Sequence, residues 1–280
     1  MERILMSNPQ LTVQLCDGCT IPQLGLGVWQ ASDAEAASAV KIALEEGYRH
    51  IDTAAIYGNE EGVGRGIRAS GVSRDQVFLT TKVWNDAHGF DAAKKALDAS
   101  LARLNVEYVD LLLIHWPVPS RDKFVETWSA LIDLQRAGKA KSIGVSNFNK
   151  DHLQKLITES GVVPVLNQIE LHPFMQQKEI CSVHHELQVA TQAWSPLGQG
   201  SALTNPVVLD IARKHDRTAA QIIIRWHLEL GNIVIPKSIT PARIKENLHV
   251  FDFSLNASDM SALATLDNRK RLGPDPSAFG

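Results

Sequence analysis

The 280-residue sequence predicts an α/β chain, a (β/α)8 TIM barrel with an N-terminal β-hairpin capping the barrel bottom. Three observations predict it. Short β-like runs alternate with helical patterns to near the end of the chain, and such alternation builds a parallel sheet with right-handed crossovers. There are eight such runs, and the length suits a closed barrel, for which ~250 residues is typical. Run after run finishes in a polar or aromatic residue: Asp52, Lys82, His115, Ser146, Gln168, Trp194 and Lys237. In a barrel these strand ends converge on one face. An open doubly wound sheet is the structural competitor. No linker, low-complexity segment or shift in composition divides the sequence, so residues 1–280 are expected to form one domain.

The hairpin comes first. Val13-Gln14-Leu15 and Thr20-Ile21 flank Asp17-Gly18, a two-residue hairpin signal. The same turn makes Cys16-Asp17-Gly18-Cys19 a literal C-x-x-C. A redox or zinc reading would need a following helix or a second ligand pair, and the sequence has neither. Cys181 is expected on a helix, as a small buried hydrophobe. The barrel strands are read at 24–28, 49–52, 77–82, 109–115, 142–146, 165–168, 190–194 and 233–236. Ser32-Asp33-Ala34-Glu35 has capping-box spacing and opens the first helix. Residues 94–104, 124–134 and 218–230 carry apolar positions at helical spacing. Residues 240–248 form a short helix whose Pro241 suits a first turn.

Hydrophobic residues make up 44% and charged residues 21% of the chain, ordinary values for a folded core under a charged surface. The net charge of −3 gives no basic excess for nucleic acid and no polybasic run for an anionic membrane. The first ten residues lack the apolar core of a signal peptide, and no apolar run approaches the ~18 residues of a membrane span. A cytoplasmic, monomeric enzyme acting on a small molecule is the expectation.

Asp52, Lys82 and His115 end the second, third and fourth strands. Neighbouring strands lie ~4.8 Å apart, so Lys82 is expected beside both Asp52 and His115. Tyr57, five residues past Asp52, can fold back over them. A free tyrosine has a pKa of ~10, too high for efficient proton exchange near neutrality. An ammonium ~4 Å away at an effective dielectric of ~20 favours phenolate by ~4 kcal/mol, up to ~3 pKa units. Asp52 would hold that lysine. His115 would donate a hydrogen bond to a substrate carbonyl oxygen and stabilise the developing alkoxide. Taken singly, each residue has an ordinary structural explanation; three adjacent strand ends together favour chemistry.

At these residues the chain resembles the aldo-keto reductase superfamily. The matching segments are Gly47-Tyr48-Arg49-His50-Ile51-Asp52-Thr53-Ala54, Thr80-Thr81-Lys82-Val83-Trp84, Leu113-Ile114-His115-Trp116-Pro117, Ser142-Ile143-Gly144-Val145-Ser146-Asn147-Phe148, Asn167-Gln168-Ile169-Glu170 and Ile235-Pro236-Lys237-Ser238. They keep the superfamily's order along essentially the whole chain. The resemblance implies the (β/α)8 fold, the catalytic tetrad Asp52, Tyr57, Lys82 and His115, and an NADP-dependent oxidoreductase. Within the superfamily the chain is most similar to the bacterial 2,5-diketo-D-gluconate reductases, through Pro22-Gln23-Leu24-Gly25-Leu26-Gly27-Val28-Trp29, Ile169-Glu170-Leu171-His172-Pro173, Phe251-Asp252-Phe253 and the tail Arg271-Leu272-Gly273-Pro274-Asp275-Pro276. That implies reduction of 2,5-diketo-D-gluconate to 2-keto-L-gulonate, with general aldehyde, methylglyoxal and keto-ester reduction as the alternative.

Lys237, Ser238 and Arg243 sit at the last strand end and the following helix start, a spacing suited to the 2′-phosphate of NADPH. By resemblance, Glu246 and Asn247 contact adenine, and Ser146, Asn147 and Gln168 hydrogen-bond the nicotinamide amide. Trp194 stacks on the nicotinamide ring, and the segment containing Ser195, Leu197 and Gly198 runs along the pyrophosphate. That loop is short beside those of vertebrate aldose and steroid reductases. Trp29, Trp84 and Trp116 follow the first, third and fourth strands and are expected to wall an aromatic substrate pocket. The tail 268–280 is expected to pack over the barrel mouth.

Other chemistries fit less well. Gly25-Leu26-Gly27 opens like a Rossmann fingerprint, but Gln30 stands at the third glycine position. The tyrosine-and-lysine pair of short-chain dehydrogenases is absent, because Tyr48, Tyr57 and Tyr108 are followed four residues later by Asp52, Glu61 and Leu112. His184-His185-Glu186 lacks a further histidine at zinc-protease spacing and reads as a solvated helical face, so no metal is expected. Gly144-Val145-Ser146-Asn147-Phe148 lacks the last glycine of a nucleophile elbow. A non-catalytic NADPH-binding protein on the same fold is the remaining class, and the intact tetrad argues against it.

Overall fold

The computed structural model describes residues 11–280; the first ten residues, read above for a leader, lie outside the described residues. Strands β1 (Thr12–Gln14) and β2 (Thr20–Pro22) pair antiparallel as the expected hairpin. Its loop differs from the two-residue turn read from Asp17-Gly18. Gly18 N donates to Leu15 O at 3.1 Å and Leu15 N to Cys19 O at 2.8 Å. Three residues, Cys16 to Gly18, therefore make the turn. Gly18 takes φ +89°, the left-handed position of a turn closed by a glycine bulge.

Eight further strands form one parallel sheet in sequence order: β3 (Leu26–Gly27), β4 (His50–Asp52), β5 (Phe78–Val83), β6 (Val109–Ile114), β7 (Ala140–Ser146), β8 (Leu166–Glu170), β9 (Ala190–Trp194) and β10 (Ile233–Val234). The two edges meet. Leu24 bridges Val234 and Gly27 bridges Lys237, with Gly25 N donating to Val234 O at 2.9 Å. The sheet is thereby a closed (β/α)8 barrel. Alternation along a strand divides its core in two. On β6, Leu112 and Ile114 face the helices, while Leu111 and Leu113 pack inside with Leu15, Ile21, Leu166 and Ile233. Ile21 is fully buried, so the hairpin closes the bottom of the barrel.

Helices α1 (Asp33–Glu46), α2 (Glu60–Ala69), α3 (Phe90–Leu104), α4 (Phe124–Arg136), α5 (Lys150–Ser160), α6 (Lys178–Leu187), α7 (Pro206–His215), α8 (Ala219–Glu229), α9 (Pro241–Leu248) and α10 (Ala257–Ala264) cover the outside. The capping box at Ser32 is formed, with Glu35 answering the Ser32 backbone N–H at 2.8 Å. Helix α2 carries only Val63 and Ile67 as large apolar residues, both buried on one face, and its three glycines each cost about 1 kcal/mol of helix propensity. Tertiary contact overrides this. A Cβ on Gly62 would lie 2.0 Å from Asp33 O, and one on Gly64 2.1 Å from Leu104 O. Only glycine lets α2 sit this close to α1 and α3. His184, expected on a solvated face, is buried instead. Its ring nitrogens lie 2.9 Å from Asn167 Nδ2 and 2.9 Å from Thr191 Oγ1, tying α6 to β8 and β9. No described helix is long and apolar enough to cross a membrane.

Candidate active site

The strand C-termini surround a cavity of about 560 Å³. Asp52, Tyr57, His115, Gln168, Trp194 and Lys237 all reach its wall. Lys82 lies just beneath, with its side chain 0% exposed. The chain places these groups by simple means. Parallel register sets Asp52 opposite Thr80 and Lys82 opposite Leu113, so consecutive strands deliver Asp52, Lys82 and His115 side by side. Tyr57 ends a 3-10 turn, Ala55–Tyr57, between β4 and α2. Asn59 holds that loop from below. It is fully buried, donates to Val28 O and Ala31 O at 2.9 and 3.0 Å, and accepts from Thr53 Oγ1 at 2.9 Å.

Lys82 Nζ is 2.6 Å from Asp52 Oδ1, 2.8 Å from Thr53 O and 3.5 Å from Tyr57 Oη. The His115 ring stands edge-on to those of Tyr57 and Trp84, at 5.7 and 5.0 Å between centroids. Its Nδ1 is buried with no hydrogen-bond partner among the described residues. Burial, helped by the Lys82 charge, holds the His115 imidazole well below its ordinary pKa. It is a neutral ring at pH 7, able to donate from one nitrogen. Burial also pulls the Lys82 ammonium downward, and the Asp52 and Glu60 carboxylates resist it.

The phenol corrects the sequence reading. Acidification of Tyr57 by the neighbouring ammonium was expected. Instead burial pushes the Tyr57 phenol well above its ordinary value, and Asp52 pushes the same way. Lys82 is engaged first by Asp52 and Thr53, at distances shorter by 0.7 Å or more (3.5 − 2.8). Tyr57 is therefore firmly protonated. A phenol in this state can give a proton, and an ammonium 3.5 Å away stabilises the anion left behind.

A chain of amides runs down from this cluster. Asp52 Oδ2 accepts from Gln168 Nε2 at 2.7 Å, and Gln168 Nε2 also donates to Gln192 Oε1 at 2.8 Å. Gln192 Nε2 lies 3.5 Å from His50 Nε2, whose Nδ1 lies 3.2 Å from Pro22 O in the hairpin. The carboxylate can only accept, so the Gln168 amide has one orientation, with both N–H groups committed and Oε1 left for the cavity. Asn147 donates to His115 O and Ser146 Oγ, both at 3.0 Å, and accepts from Trp194 Nε1 at 2.8 Å. It fixes the indole of Trp194 as part of the wall. Ser146 is buried and donates to Gln168 O at 2.8 Å. Asn147 and Ser195 have φ of +64° and +48°, and Gln30 and Gln199 on the same wall have +59° and +50°. Four of the eleven described non-glycine residues with left-handed backbone thus lie on this wall, a conformation that recurs at functional sites.

The remaining expected residues fall in two groups. Leu197, Ser238, Arg243, Glu246 and Asn247 line a second cavity of about 320 Å³, joined to the first through Lys237. Lys237 and Arg243 make no ion pair among the described residues, which leaves two cations for an anion at the start of α9. Glu246 is partly committed, accepting from Thr218 Oγ1 at 2.8 Å. Gly198 is buried and, like Ser146, lines neither cavity. Trp29, Trp84 and Trp116 all line the first cavity. The tail, expected over the mouth, supplies Leu272, Gly273, Pro274 and Phe279 to that wall, although the sequence reading named none of them singly; it missed Ile56. Ile56 was detectable as a large apolar residue beside Tyr57; it is 48% exposed.

Comparison with known proteins agrees with this geometry. The profile of the aldo/keto reductase family matches residues 23–268. An aldo-keto reductase of Mycolicibacterium smegmatis is 55% identical over 97% of this chain and 98% of its own length. Methylglyoxal reductase DkgA of Escherichia coli is 52% identical over 98% of this chain and 100% of its own length. The crystal structure of a Gox0644 variant in complex with NADPH is 47% identical and superposes with a TM-score of 0.94, covering 97% of this chain and 99% of that one.

Proposed function

The chain belongs to the aldo/keto reductase family, and we propose that it reduces small carbonyl compounds to alcohols with NADPH, with Tyr57 as the proton donor. The observation that carries this reading is the set Asp52–Lys82–Tyr57, at 2.6 and 3.5 Å, beside a neutral His115 whose Nδ1 has no partner among the described residues, on one cavity wall.

The residues present fit the dinucleotide. Lys237 and Arg243 supply cations unpaired among the described residues, Trp194 a fixed aromatic plate, and Gln168 a free amide oxygen at the cavity wall. Lys237, Ser238 and Arg243 would hold the 2′-phosphate, Glu246 and Asn247 the adenine, and Ser195 and Leu197 the pyrophosphate, with the buried Gly198 closing their turn by donating to Ser195 O at 2.9 Å. Asn147 and Gln168 would position the carboxamide, with Ser146 bracing both from beneath through Gln168 O and Asn147 Nδ2; Gln168 can serve it only as an acceptor. When bound, NADPH supplies the hydride.

The chain's own residues do the rest. His115 donates to the carbonyl oxygen and holds it within reach of Tyr57 Oη. Tyr57 gives its proton to that oxygen as negative charge develops. The phenolate so formed sits 3.5 Å from the Lys82 ammonium, an attraction of about 4 to 5 kcal/mol at an effective dielectric of ~20, offset in part by Asp52. Lys82 therefore acts on the charge-separated state more than on the resting one, which is where a group must act to accelerate a reaction. Asp52 keeps Lys82 charged and in place.

The substrate we place first is 2,5-diketo-D-gluconate, from the resemblance of the sequence. Methylglyoxal and related aldehydes are the second reading. The name of the E. coli relative and the mostly apolar wall of Trp29, Trp84, Trp116 and Ile56 favour it. NADPH consumption is followed against diketogluconate, methylglyoxal, a keto ester and an aromatic aldehyde, with wild type and Tyr57→Phe. Turnover by wild type and its near-abolition in the variant, with NADPH still bound, is the expected result. No consumption with any substrate supports a non-catalytic binding protein; an active Tyr57→Phe removes Tyr57 from the mechanism.

A further inference from the structure

The segment Ile169-Glu170-Leu171-His172-Pro173 plays no part in the chemistry above, yet it holds a carboxylate that is 1% exposed. Glu170 ends β8, two residues beyond Gln168 and on the same face of the strand. Its carboxylate is taken up mainly by the far end of the chain. Oε1 accepts from Leu272 N at 2.5 Å and His172 Nε2 at 3.0 Å, and Oε2 accepts from Gly273 N at 2.9 Å. Arg271 brings its guanidinium to 3.9 Å. Hydrogen bonds to an ionised acceptor are roughly twice as strong as neutral ones. Burial raises the Glu170 pKa, but the His172 and backbone hydrogen bonds outweigh it and keep the group ionised.

What this carboxylate holds is the outer wall of the substrate cavity. Leu272, Gly273, Pro274 and Phe279 all line it, although residues 267–280 contain no helix or strand to fix them. Phe279 packs on Trp116 at 4.5 Å between centroids. Gly273 lies flush on Trp194, where an added Cβ would come within 2.5 Å of the indole and 3.2 Å of Glu170 Oε2.

We propose that Glu170 is a specificity-determining positioning residue: through Leu272 and Gly273 it anchors the C-terminal tail as the outer wall of the site and sets the gap between that wall and Trp194. This rests on reading the cavity as the carbonyl site. Glu170 touches no reacting atom. Its effect should therefore fall on substrates large enough to reach the tail, and on KM rather than kcat.

Glu170→Gln keeps the shape but turns one acceptor oxygen into a donor facing the tail amides. The expected result is a KM for an aromatic aldehyde raised roughly tenfold, with KM for methylglyoxal and both kcat values within about twofold. Phe279→Ala should give the same pattern. The double variant should be no worse than the worse single one, because both remove one wall; independent sites would add. Equal losses for both substrates, a fall in kcat alone, or additivity overturns the proposal.

Trypsin cleavage after Arg269, Lys270 or Arg271 provides a readout without catalysis. Release of the tail should speed it about tenfold or more in Glu170→Gln; an unchanged rate also overturns the proposal. If wild type consumes no NADPH, the reading of the site fails, while the proteolysis arm still reports on the anchor. Should Glu170→Gln not fold, Gly273→Ala approaches the contact from the tail side, and its methyl must displace the tail from Trp194 with the same selective rise in KM.

Discussion

Replacing Lys82 by methionine separates what the buried ion pair does for folding from what it does for chemistry. The two side chains are 0% and 2% exposed, 2.6 Å apart. Without the ammonium, the Asp52 carboxylate keeps only the Gln168 N–H at 2.7 Å as a side-chain partner, and Thr53 O loses a donor at 2.8 Å. Stranding one charge of a buried pair costs about 3–5 kcal/mol. For a chain of this length, about 2 °C of Tm per kcal/mol gives a fall of about 6–10 °C. Removing the carboxylate as well, in Asp52→Asn/Lys82→Met, takes away the orphaned charge and should restore stability to within about 1–2 kcal/mol of wild type. Activity should stay absent in both, because neither has an ammonium beside Tyr57. Urea titration followed by circular dichroism gives the stabilities, and NADPH oxidation the activities. A Lys82→Met protein as stable as wild type, or a double variant no better than the single, would refute the charge argument.

Arg243→Ala removes one of the two cations of the second cavity that are unpaired among the described residues. A charge-assisted hydrogen bond is worth ~1.5–3 kcal/mol, so the preference for NADPH over NADH should fall by ~10- to 150-fold. Michaelis constants for the two cofactors check this, and an unchanged ratio rejects the assignment. Acid stability offers a test of the buried histidines. Burial lowers His50 and His184 to about 4 and His227 to about 3, so the folded protein keeps them neutral while the unfolded chain protonates below pH ~6.5. Their contribution is complete above that pH and declines as pH falls towards the folded values. Each histidine accounts for about 1.4 kcal/mol per pH unit. Urea midpoints at pH 7, 6 and 5 that do not move would contradict it.

The barrel was legible because its signals are local. A β-rich run and the residue that ends it are adjacent in sequence, so Asp52, Lys82 and His115 could be placed on neighbouring strands before any coordinates. The expected lengths differ from the observed ones mainly at the rims, as at β10, whose pairing with β9 covers only Ile233 and Val234. What the sequence did not disclose depends on contacts between distant segments. Helix α2 looks like a poor helix until the backbones of α1 and α3 are set against it. His184 looks solvated until Asn167 and Thr191 close over it. Glu170 stood inside a recognised motif, but its partners Leu272 and Gly273 lie a hundred residues on and offer only backbone N–H groups, which no sequence pattern marks. The state of the Tyr57 phenol was misjudged for a related reason. The distance to Lys82 could be foreseen, but the depth of burial, which dominates, could not.

The glycines of α2 bear on the proposed proton donor. Tyr57 rides a short loop, and loops ordinarily wander. Here one side of the loop is rooted in a barrel strand and the other runs straight into a helix whose Gly62 and Gly64 touch the main chain of α1 and of α3's end. Main chain against main chain holds the start of α2, and with it the C-terminal anchor of the Tyr57 loop, at a fixed distance from α1 and α3. A methyl group at position 64, remote from the cavity and chemically inert, should thus displace the loop that carries Tyr57, the proposed proton donor.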